Sequence, residues 1–222
     1  MPQQTIFQWR DGRGWLVLSG GGGSNDEMDA IASIEASILG RTMSQGPIAY
    51  IWAAGDIETA DRNMDALRDL GARTGYMIDI LTEDDESLRT QLREAGVIIL
   101  GDGPETQLLR DALPGVVIES IESAFGRGAS VYAIGQSATI LGTYGIEGNQ
   151  LLPGLEWLSQ SAIMAHYKPA DADLLRDWVQ ESAATYGLGL GEGAALALGP
   201  LGELEVWGNQ AITVTLGEQY HP

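Results

Sequence analysis

The chain has 222 residues, 44% of them hydrophobic, which suits the core of one large α/β domain and removes disorder as the default. Thirty-one acidic residues against twelve basic ones leave a net charge of −19, too few cations for the patch that a nucleic-acid binder needs. The absence of cysteine excludes disulfides, thiolate metal sites and a cysteine nucleophile.

Residues 15–19 (WLVLS) read as a short buried strand ending in four glycines. Ser24, Asn25 or Asp26 can then cap a helix that stops near Gly40. Residues 48–54 (IAYIWAA) are continuously apolar, as parallel strands covered on both faces are. An amphipathic helix over 59–70, an extended 75–81, a charged helix over 83–95 and a strand at 97–100 follow. After Gly101-Asp102-Gly103 come a helix over 105–113, a segment to 125 without a clear pattern, and a strand at 130–134. Residues 161–167, 194–198, 204–207 and 211–216 read as extended around a helix at 171–185, with Gly208-Asn209 as a hairpin turn. Alternating strands and helices imply right-handed βαβ units. The expected fold is therefore a three-layer α/β domain. Its mostly parallel sheet carries helices on both faces and antiparallel strands toward the C-terminus, in one domain over 1–222.

No run reaches about 18 apolar residues, and MPQQTIFQWRDGRG lacks the apolar core of a signal peptide. The expectation is a cytoplasmic protein without a membrane partner. The glycines at 20–23 sit where a phosphate cradle would, between strand and helix. A P-loop needs a Lys-Ser/Thr pair, yet the only lysine is Lys168, and the dinucleotide fingerprint lacks its last glycine. A tight turn at the carboxyl edge of the sheet is the better reading.

Gly-x-Ser occurs three times, ending at Ser24, Ser130 and Ser137, where about two are expected by chance. Ser137 alone follows an apolar strand directly and opens an apolar helical run. Such a turn lifts a hydroxyl above the sheet edge and aims the Ala138 amide at a developing oxyanion. A serine capping the next helix fits the same pattern. A base is needed, and the chain has two histidines. His221 is penultimate, where chains usually fray, which leaves His166.

Four segments together resemble the serine peptidases that include cyanophycinase and the aspartyl dipeptidases, relatives of the class I glutaminase fold. Residues 99–109 (ILGDGPETQLL) resemble the glycine-rich turn GGGNTxQLL, and Gly135-Gln136-Ser137-Ala138 resembles the elbow G-x-S-A-G-A. Ala165-His166-Tyr167 is similar to the P-H-F or Q-H-F motif, and residues 187–195 (GLGLGEGAA) to G-I-G-I-D-E-G-T-A. The resemblance implies acyl transfer on a short peptide or isopeptide with an aspartyl acyl side, without metal or organic cofactor. Ser137 would be the nucleophile, His166 the base and Glu192 the orienting acid, with Glu147 competing for that last role. The Gly103 and Ala138 amides would hold the oxyanion. Asp102, Gln136 and Lys168 would contact substrate, Lys168 either pairing with its carboxylate or standing as an ordinary solvated lysine. Departures from the family are Thr139, which can crowd the elbow, and Asp102 and Pro104 in the oxyanion turn. A non-catalytic homologue binding a small acidic metabolite or a partner stays open, as do an amidase on a non-peptide amide and a homodimer.

Overall fold

The computed structural model describes residues 6–218 and Tyr220. His221 and the first five residues of the N-terminal stretch lie outside the described residues. The elements run β1 (Leu16–Ser19), α1 (Asn25–Arg41), β2 (Ile48–Ile51), α2 (Ile57–Asp69), β3 (Gly75–Ile78), α3 (Asp85–Glu94) and β4 (Val97–Leu100). They continue α4 (Thr106–Ala112), α5 (Val116–Arg127), β5 (Ser130–Ile134), the single turn α6 (Gln136–Thr139), β6 (Gly142–Glu147), β7 (Gln150–Pro153) and β8 (Leu158–Met164). After a 3₁₀ turn (Pro169–Asp171) come α7 (Ala172–Glu181), β9 (Tyr186–Leu190), β10 (Ala194–Leu198), β11 (Leu204–Gly208) and β12 (Ile212–Leu216).

The strands form a seven-stranded sheet, β11-β10-β1-β5-β4-β2-β3, and a five-stranded sheet, β12-β9-β8-β6-β7. From β1 through β5, β4, β2 and β3 every pairing is parallel; β10 and β11 are antiparallel. The expected α/β architecture with late antiparallel strands is present. Its last strands are shared between two sheets, and this changes one reading. Gly208 does turn the chain, with φ +71°, but β11 pairs with β10 while β12 pairs with β9. The turn carries the chain from one sheet to the other and closes no hairpin.

Side-chain alternation explains the layers. Val17, Tyr50, Ile99 and Tyr132 face one way and meet Ile34 and Ile38 of α1 and Met64 and Leu67 of α2. Leu16, Leu18, Ile51, Leu100 and Val131 face the other way, onto Leu92 of α3, Leu109 of α4 and Ile121 and Phe125 of α5. That second layer is continuous with Ile163 and Leu188 of the five-stranded sheet, whose far face is covered by Leu175 and Val179 of α7. The unassigned segment before residue 125 is α5, a helix with Val117, Ile121, Ala124 and Phe125 buried. Ser24 caps α1 in a reciprocal capping box with Glu27. Among the described residues no helix is long and apolar enough to cross a membrane.

Candidate functional site

Five turns, each at the carboxyl end of a parallel-paired strand, converge on one point, the edge where open α/β sheets place ligands. Gly21 follows β1, Asp102 follows β4, Gly135 follows β5, His166 follows β8 and Glu192 follows β9. The approach is close. A Cβ on Gly21 would lie 2.7 Å from His166 Cε1, 3.0 Å from Asp102 Oδ2 and 3.1 Å from Gly135 Cα. The glycines at 20–23 therefore let the β1 turn run against the histidine, with Gly20 O accepting from His166 N at 3.2 Å. His166 itself has φ +51°, a conformation that side chains other than glycine adopt only when their surroundings hold them there.

The His166 ring lies between two carboxylates. Nε2 is 3.2 Å from Asp102 Oδ2, and Nδ1 is 3.4 Å from Glu192 Oε1. The Asp102 hydrogen bond raises the imidazole pKa, burial opposes it, and the charges of Asp102 and Glu192 add to the rise. Both ring nitrogens thus face a carboxylate oxygen. A general base needs one of those nitrogens free.

Asp102 has a second set of partners. Its Oδ1 accepts from Gly103 N and from Gln136 N, both at 2.9 Å. Two convergent amides can hold an anion, and here both, from the turns after β4 and β5, are taken by a carboxylate of the protein. The space exists because residue 135 is glycine. A Cβ there would fall 2.1 to 2.3 Å from the Asp102 carboxylate atoms, and the local backbone, φ 55° and ψ −129°, is one that side chains avoid.

Ser137 stands elsewhere. Its Oγ is completely buried and donates to Gly101 O at 2.6 Å, and no hydrogen bond joins it to His166. The sharp turn expected at Ser137 lies two residues earlier, at Gly135, because that residue carries the left-handed backbone between strand and helix. Ala138 N, expected beside Gly103 N, donates to Gly135 O inside the turn, and the amide that shares Asp102 Oδ1 with Gly103 N is Gln136 N. Of the two candidate acids, Glu192 lies beside His166. Glu147 instead pairs with Arg110 at 2.6 Å and accepts from Thr139 Oγ1 at 3.0 Å, so Thr139 faces β6 rather than crowding the turn. Lys168 is exposed at the start of the 3₁₀ turn, its backbone N–H donating to Asp171, and it is not among the residues that line the neighbouring cavity.

That cavity, of about 800 Å³, opens between α1 and α2 and reaches Asp102 and Gly103. Glu35 lines it, only 6% exposed and without a hydrogen bond or ion pair to any described residue. Burial alone pushes its carboxyl up to about 7. The wholly buried Tyr132 also lines it, its hydroxyl lacking a formed hydrogen bond, although Ser19 lies near enough to act on it. Sequence reasoning passed over Glu35. The available signal was one carboxylate inside the apolar stretch AIASIEASIL, between Ile34 and the rest of that helix face.

No protein-family model matches the chain, and no curated protein matches it in sequence. Solved structures do match in shape. A peptidase from an acI-B1 Actinobacterium superposes with a TM-score of 0.71 at 17% identity, over 94% of this chain and 97% of its own. A Listeria monocytogenes EGD-e protein provisionally named peptidase E gives 0.61 at 15% identity, over 91% and 98%. The fold is the one these proteins share. At such identities the likeness carries no site residue from either of them to this chain.

The carboxylate pair around His166 has a thermodynamic signature. A histidine whose folded pKa exceeds its unfolded value adds stability that is complete below about 6.5 and fades as pH rises through the folded pKa. Urea midpoints measured from pH 6 to 9 should therefore fall, and His166→Gln should flatten the part of that fall above pH 6.5. An unchanged slope in the variant would mean that the ring is not held as an imidazolium.

Proposed function

We propose that this chain is a ligand-binding member of the hydrolase-like fold, holding a small molecule at the Asp102–His166 edge without forming an acyl-serine. One observation carries the reading: the Asp102 carboxylate occupies the two-amide hole directly over Gly135. Acyl transfer needs that hole empty to receive an oxyanion, and a hydroxyl at the turn to attack. Here an anion already sits on the amides, the turn carries no side chain, and the histidine is engaged on both nitrogens.

A second reading is favoured by the shape shared with two proteins named as peptidases and by the nearness of His166 and Glu192. It is a serine peptidase cleaving short aspartyl peptides or isopeptides through Ser137, His166 and Glu192. It requires Ser137 Oγ to leave Gly101 O and travel to the histidine. A fluorophosphonate probe followed by peptide mass mapping separates the two. The native chain should remain unlabelled, and aspartyl dipeptides and β-aspartyl isopeptides should survive incubation with it. Labelling at Ser137, or hydrolysis that Ser137→Ala abolishes, would establish the peptidase instead. Gly135→Ser combined with Asp102→Gly should be labelled at position 135, since the pair of changes frees both amides and puts a hydroxyl at the turn.

A further inference from the structure

The cavity beside this edge has an unusual floor. Glu35 projects from α1 into the cavity that Ile31, Tyr132 and Ile134 also line, more than nine-tenths buried and in no hydrogen bond or ion pair with a described residue. An unpaired buried carboxylate is costly when ionised, and a cation placed against it removes that cost. Tyr132 offers a hydroxyl without a formed bond in the same space. The charges on the walls are chiefly negative: Asp56, which caps α2, Asp69 at its far end and Asp102 from the sheet edge, against Arg62 alone. Ile31, Ala32, Ala66 and Ile134 supply apolar wall.

Resting on the reading of this edge as a binding site, we infer that the cavity takes a small organic ammonium, its cationic head on Glu35 and the Tyr132 hydroxyl and its apolar body between α1 and α2. An ammonium brings three donors and one positive charge, which is what a carboxylate and a hydroxyl acceptor lack here. A carboxylate ligand would face Glu35 and Asp102 with only Arg62 in its favour, so the acidic metabolite expected from sequence does not suit this cavity. The protein's net charge of −19 also draws cations toward it.

The probe is 2-phenylethylammonium, compared with 2-phenylethanol and 3-phenylpropanoate as its neutral and anionic counterparts, in NMR titrations of the full chain. The ammonium should bind at least tenfold more tightly than either counterpart at pH 8. Glu35→Gln should weaken it at least tenfold, and Tyr132→Phe about threefold, the scale of one hydrogen bond. Glu35 must ionise to accept the cation, so affinity should fall about tenfold from pH 8 to pH 6. The charged or titratable groups around it are Tyr50 and Tyr132 of the sheet, Arg62 and Asp69 of α2, Asp56 at its cap, and Asp102. Arg41, on its own helix, is engaged by Glu205. His166 lies beyond Asp102 and changes charge nearby, so the pH series is repeated in Glu35→Gln, where the dependence should vanish. Equal binding of alcohol and ammonium, an unaffected Glu35→Gln, a pH dependence that survives that change, or no ammonium binding would each overturn the inference. None of these outcomes bears on whether Ser137 forms an acyl-enzyme, which the fluorophosphonate experiment reads separately.

Discussion

Gly135→Ala is expected to destabilise the protein by about 2 to 4 kcal/mol, far more than a methyl group usually does at a turn. Two costs combine. The backbone at φ 55° and ψ −129° disfavours any side chain by about 1 to 2 kcal/mol. The new Cβ also falls 2.1 to 2.3 Å from the Asp102 carboxylate, which must leave its two amides and His166 to make room. Asp102→Gly alone loses those bonds, but at a site about one-third exposed, where water can replace them. The cycle is the decisive measurement. In the double variant the overlap is gone and only the backbone strain remains, so the two changes together should cost less than their sum by about 1 to 3 kcal/mol. Additive losses in urea melts would mean that the carboxylate moves aside freely and does not occupy the hole in any demanding sense.

The second large effect runs in the opposite direction. Glu35→Gln should stabilise the protein at pH 8 and leave it nearly unchanged at pH 4.5. A carboxyl raised from 4.5 to about 7 in the folded state keeps a proton that the unfolded chain has released. Between those values the folded state binds more protons, so stability declines as pH climbs, by about 3 kcal/mol over the window. Glutamine has no proton to lose and escapes that decline. Chemical denaturation at pH 4.5 and pH 8 checks it, and equal differences at the two pH values would show that Glu35 ionises without penalty. The same substitution should abolish the pH dependence of cation binding, so one side chain would trade stability for affinity.

Much of the chain could be read from local pattern. Residues 194–198 form β10 with those bounds because five apolar residues sit between glycine turns, and Ser130–Ile134 is β5, its four apolar residues ending at Gly135. Gly103, His166 and Glu192 were legible as edge residues because each stands on a turn just after a strand. What local pattern could not give was pairing. β11 and β12 look like two arms of a hairpin, and their partners, β10 and β9, are chosen by long-range packing. The elbow failed for a related reason. The letters of G-x-S-A-G-A put the motif's serine on Ser137; a second frame, which puts it on Gly135, keeps only the last alanine, on Ala138. Motif letters favour the first, whereas backbone geometry selects the second, because the sharp turn needs positive φ at the residue directly after β5. Asp102 was read as a substrate contact since nothing in sequence reveals that a side chain missing at position 135 leaves it a seat.

The overlap between positions 102 and 135 also puts a direction on ancestry. In any lineage that once had a side chain at position 135, the aspartate was inadmissible until glycine arrived, because the two volumes coincide. With the aspartate in place, a single codon change back at 135 meets the same collision, so a return has to begin at position 102. The way back therefore has one order, position 102 first and position 135 second. Position 135 is conditionally locked: it accepts a side chain only in a chain that has already given up the aspartate at position 102.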